Sequence, residues 1–94
     1  MPPRKSIPIK IRDDIVGGAY ANNMFVTHTR EDFVMDFLYL ASQQGSVNAR
    51  VITTPGHMKR IIRALVDNVA KYEAKFGPIP DSPIPDEAPG LDLN

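Results

Sequence analysis

The chain has no cysteine, only two histidines, and no apolar run long enough to cross a bilayer, and each shortage removes a class of function. Without cysteine there is no disulfide, no thiolate zinc site and no cysteine nucleophile. His28 and His57 stand far apart with no carboxylate at ligand spacing, so they give no metal site. No glycine-rich phosphate loop and no nucleophile elbow occurs anywhere in the 94 residues. No signal-like apolar segment follows Arg4 and Lys5, and nothing approaches the roughly eighteen apolar residues of a membrane span. The expectation is a soluble, cytoplasmic protein with no cofactor, no metal and no membrane partner.

Net charge is also absent, but its zero conceals an asymmetry. All eleven basic residues and seven of the eleven acidic ones lie in residues 1–76, an excess of four positive charges, and Asp81, Asp86, Glu87 and Asp92 balance it from 77–94. That closing stretch also carries Pro78, Pro80, Pro83, Pro85 and Pro89, each lacking a backbone donor and biasing its predecessor away from helix. Residues 77–94 therefore read as a disordered, acidic, proline-rich tail, residues 1–6 as a flexible N-terminus, and residues 7–76 as one small domain.

Within that domain two periodicities follow one another. Ile7, Ile9 and Ile11 alternate with Pro8, Lys10 and Arg12, the pattern of a strand whose proline confines it to an edge. Asp13, Asp14, Gly17 and Gly18 supply turn chemistry. Alternating strands are expected over about 19–28 and 33–41, joined by the polar link TRED, and a further β-branched strand over 47–53 after a turn at Gly45. Thr54 is placed to cap a helix and Pro55 to occupy its first position. Met58, Ile61, Ile62, Leu65, Val66, Val69, Tyr72 and Phe76 then recur every three or four residues, until Gly77 and Pro78 stop the run. The fold class is α+β: an antiparallel meander of three to four strands followed by one long C-terminal amphipathic helix.

A sheet of four strands is about 19 Å wide, whereas one helix covers about 10–12 Å. On the third strand Phe33, Met35, Phe37 and Tyr39 point one way and Val34, Leu38 and Leu40 the other. On the second, Tyr20, Met24 and Val26 oppose Ala19, Ala21 and Phe25, so neither the first face nor the second is at ease in water. A second copy, or another protein or extended polypeptide, is therefore expected to cover them, together with Ile62, Leu65, Val69, Tyr72 and Phe76 of the helix. In that second face Asp36 sits between Val34 and Leu38, where an unpaired carboxylate is costly. Arg50 in the neighbouring strand is its natural structural partner.

The motifs Gly18-x-Tyr20-x-Asn22, Glu31-Asp32-Phe33, Asp36-Phe37-Leu38, RVITTPGHMK from Arg50 to Lys59, and Asn68-x-x-x-Tyr72-Glu73-x-x-Phe76-Gly77 occur in that order. They resemble a small bacterial and archaeal family described only as a domain of unknown function. The resemblance covers residues 15–77 and implies no activity. The strand-strand-strand-strand-helix order is also similar to the SecB-type export chaperones. Those proteins assemble into dimers and tetramers and bind unfolded chains on apolar grooves.

Three functional readings follow. The first is a homo-oligomeric interaction protein, chaperone-like in offering apolar sheet to polypeptide. The second is nucleic-acid binding through Lys59, Arg60 and Arg63 at the helix start, and it ranks lower because Arg63, Asp67 and Lys71 read as a solvated ladder. Catalysis ranks last, since no two polar groups converge and no catalytic residue is assigned.

Overall fold

The computed structural model describes residues 6–81 and resolves the two periodicities into three strands and one helix. Strands β1 (Asn23–His28), β2 (Phe33–Leu40) and β3 (Gly45–Thr53) form an antiparallel sheet in the order β1-β2-β3, and α1 (Pro55–Phe76) follows. The expected strand over 7–12 is not formed. Ile7, Ile9 and Ile11 are 80 %, 90 % and 61 % exposed, and the chain there has no strand partner. Pro8 can donate nothing to a ladder, so alternation alone does not secure an edge. The tail and N-terminus expected beyond residues 6–81 lie outside the described residues.

The second expected strand is shortened for a structural reason. Asp13–Ile15 form a 3-10 turn, and Gly18 takes φ +75°, a conformation that suits glycine. The segment leading into β1 therefore crosses the end of the sheet before it pairs. The Asn22 side chain makes both bonds of a strand neighbour, donating Nδ2 to the Leu40 carbonyl at 3.0 Å and accepting the Leu40 N–H on Oδ1 at 2.9 Å. Thr29 closes the β1–β2 turn, its Oγ1 accepting the N–H groups of Glu31 and Asp32 at 3.3 and 3.2 Å. Between Phe37 and Leu38 the β2–β3 register slips by one residue, leaving Asn48 as the extra residue of a bulge. Its Nδ2 donates to the Tyr20 carbonyl at 2.8 Å, and Tyr20 packs edge-on against Tyr39 with ring centroids 5.9 Å apart.

Helix α1 begins and ends on the expected signals. Thr54 is extended, its Oγ1 accepts the His57 N–H at 3.2 Å, and Pro55 occupies the first turn. Gly77 at φ +92° donates its N–H to the Glu73 carbonyl at 2.9 Å, and the Ile79 N–H binds Glu73 Oε2 at 2.7 Å. Thr54→Ala is expected to cost about 0.5–2 kcal/mol by removing that cap, read as a lower melting temperature in far-UV circular dichroism. A variant as stable as the parent would show the cap bond contributes nothing.

Burial is confined to a few positions. Among the described residues the buried hydrophobic side chains are Met35, Leu38 and Met58, and the buried polar one is Asp36. Two of the three apolar ones lie on β2, the middle strand, and the third is in the first turn of α1. Past that turn the helix makes no extended contact with the sheet. Its apolar stripe, which sequence spacing alone could equally assign to packing on its own sheet, is left open.

Candidate functional site

The strand register sorts the sheet into two faces. Directly opposed residues share a face, so Val26, Met35 and Val51 form one layer of the first face, with Met24, Phe37 and Ala49 beside them. Phe25, Asp36 and Arg50 cross the second face, between Thr27–Val34–Ile52 and Asn23–Leu38–Val47. Neither face is polar in the way an uncovered antiparallel sheet requires. On the first, Met24, Val26, Tyr39 and Val51 are 40 to 50 % exposed; on the second, Ile52 is 60 % exposed.

Of the expected interface residues, Met35 is buried and Phe33 and Phe37 are half-buried within the sheet, whereas Tyr20, Met24 and Tyr39 lie open. Phe33 stacks on the His28 ring at 5.4 Å. The helix members Ile62, Leu65, Val69, Tyr72 and Phe76 are all exposed, between 46 % and 66 %, and Tyr72 and Phe76 pair with each other at 4.9 Å. These residues do not form one enclosed pocket. They make two neighbouring apolar surfaces: the sheet with its crossing segment, and the helix stripe.

Asp36 and Arg50 are brought together at the centre of the second face. Arg50 donates Nε to Asp36 Oδ1 at 2.6 Å and Nη2 to Oδ2 at 3.0 Å, a two-pronged contact between side chains 50 % and 1 % exposed. The hydrogen bonds from Arg50 hold the Asp36 carboxyl below its ordinary pKa, opposed by burial and aided by the opposite charge. The same bonds hold the Arg50 guanidinium above its own. Each carboxylate oxygen of Asp36 thus accepts one hydrogen bond from Arg50.

The basic residues at the helix start are spread rather than focused. Lys59, Arg60 and Arg63 are exposed, and Arg63 Nε reaches the Lys59 carbonyl at 3.5 Å instead of Asp67, which pairs with Lys71 at 3.0 Å. No phenylalanine, tyrosine or tryptophan lies within two turns of them on α1 to stack a base. Among the described residues no group of three metal-ligating side chains gathers, and no helix is long and apolar enough to cross a membrane. Sequence reasoning missed Asn22 and Asn48 as the side chains that tie the crossing segment to the sheet. Asn22 stood in the motif Gly18-x-Tyr20-x-Asn22, and Asn48 lies within β3, where asparagine is an unfavourable strand residue.

A family model described as "Protein of unknown function (DUF3467)" matches residues 1–81. No curated protein and no solved structure matches the chain.

Proposed function

The chain belongs to the DUF3467 family, and from its open sheet and helix stripe we propose that it is a homo-oligomeric protein-interaction module of the cytoplasm. Self-association covers part of the apolar surface, and the remaining sheet takes an extended stretch of another polypeptide, in the manner of a chaperone. The observation that carries this reading is the poverty of the core: a fold with three buried hydrophobic side chains among its described residues has most of its apolar surface still in water. Small domains without disulfides or metal commonly gain the missing stability by association. Exposed apolar area arranged on a sheet also suits a client chosen for its backbone and apolar side chains, not for one chemical group. The comparison with SecB-type chaperones loses one element here, since three strands precede the helix and not four.

Size-exclusion chromatography with light scattering is expected to show a dimer or larger species at micromolar protomer. A reduced and alkylated, permanently unfolded protein carrying a fluorophore is expected to gain anisotropy on titration with the full chain. A monomer with no effect on that probe overturns the proposal.

A further inference from the structure

We infer that a second copy of this chain docks along α1 in antiparallel orientation, in the register that sets Leu65 on the partner's Val69 and Ile62 on the partner's Tyr72. The inference rests on the homo-oligomeric reading above and adds to it the surface, the direction and the register.

Met58, Ile62, Leu65, Val69, Tyr72 and Phe76 follow one another at intervals of 4-3-4-3-4, the seam of a helix that meets another helix. From Ile62 onward every member of that seam is exposed, so the protomer's own sheet does not account for it. In an antiparallel pair the two seam positions of each layer come from different places in the two chains. Both layers are centred on residue 67, so a single two-fold axis satisfies them together.

The flanks of the seam supply a second, independent match. On one side lie Lys59, Val66 and Glu73, seven residues apart. The antiparallel register brings Lys59 beside the partner's Glu73 and Val66 beside the partner's Val66, so opposite charges meet at both ends and apolar side chains meet in the middle. Glu73 is half-buried and gives Oε2 to the Ile79 N–H, which leaves Oε1 for the partner. The charged residues Arg60, Arg63, Asp67 and Lys71 fall on the opposite side of the helix and stay in water. A parallel pair would instead crowd two copies of Lys59, Arg60 and Arg63 at one end, on top of two aligned helix N-termini. A pattern symmetric about its own midpoint is what an isologous contact requires, and an unrelated partner would have no use for that symmetry.

The chain lacks cysteine, so one introduced cysteine carries one spin label. At 1.5 Å per residue, the register offsets the two Asn68 positions by about 3 Å along the axis and the two Lys75 positions by about 24 Å. Labels on Asn68→Cys are therefore expected to broaden each other's spectrum strongly, and labels on Lys75→Cys to give a dipolar distance beyond about 25 Å. Short distances at both sites indicate a parallel pair and overturn the inference. A dimer by light scattering with no short distance at residue 68 overturns it while leaving the oligomeric reading intact, and a monomer overturns both. Lys59→Glu provides a check free of labels: the dimer Kd is expected to rise roughly three- to tenfold in dilute salt, with the difference vanishing near 1 M. An unchanged Kd in dilute salt also overturns the register.

Discussion

Leu38→Ala is expected to lower the free energy of unfolding by about 2–5 kcal/mol, the cost of deleting a buried leucine and leaving part of its cavity. Leu38 is 3 % exposed on the middle strand, opposite Asn23 of β1 and Val47 of β3 and beside the bulge that frees Asn48. Among the described residues there is no second buried cluster to absorb the loss. Total stabilities of small proteins run to roughly 5–15 kcal/mol, so the variant should lie near its unfolding midpoint under mild conditions. Tyr39→Ala is the control. That side chain projects from the other face and is 43 % exposed, so the urea midpoint should move much less, through loss of the Tyr20 contact. Both measurements belong at one protomer concentration, because the stability of an associating chain depends on it. A Leu38→Ala variant within about 1 kcal/mol of the parent would show that the middle strand is not where this fold is held together.

The elements that could be read from the sequence are those whose signals are local and redundant. Thr54 and Pro55 at the start of α1, eight apolar residues at helical intervals within it, and Gly77 after it agree on one answer, and the helix runs from Pro55 to Phe76. The TRED turn and the β-branched run into Thr53 are similarly local. The strand expected over 7–12 rests on alternation alone, with Pro8 against it, and that segment does not pair. The expected strand from residue 19 begins late, because pairing there is replaced by the crossing segment. That crossing depends on side chains meeting across 18 and 28 positions of sequence, Asn22 with Leu40 and Asn48 with Tyr20, and local propensity carries no trace of such contacts.

The motif residues have structural roles. Gly18 supplies a left-handed turn, Tyr20 a ring for Tyr39 and a carbonyl for Asn48, and Asn22 a substitute strand pair. Glu73 and Gly77 close the helix, and Tyr72 and Phe76 stack on its open stripe. These residues lie at the ends of the two apolar surfaces. The helix stripe and the sheet raise different questions of occupancy, since the stripe is self-complementary and the sheet is not. On the proposed reading, the stripe is assigned to a second copy and the sheet to a client.

Arg50→Gln is expected to reverse the pH dependence of stability that Asp36 contributes. In the parent, Arg50 holds the Asp36 carboxyl below its ordinary value, so the unfolded chain takes up a proton at higher pH than the folded one does. The pair's stabilisation is then fully present above the unfolded value of about 4 and is lost as pH falls from there through the depressed folded value. Removing the guanidinium leaves a carboxylate with 1 % of its side chain exposed and no counter-ion. Burial, which now opposes the Arg50 bonds, would be left to act alone and raise the folded value above the unfolded one. The folded state then binds the proton first, and this residue's contribution rises as the solution is acidified from about pH 7 towards 4. Asp36→Asn removes the titration altogether and strands only Arg50, half-exposed and able to turn towards water, so it should destabilise less at neutral pH than Arg50→Gln. Urea denaturation of the parent and both variants between pH 3 and 7 measures all three slopes. If Arg50→Gln keeps the parent's slope, or if Asp36→Asn is the more damaging change at pH 7, the carboxylate is reached by water and the pair does not organise the second face of the sheet.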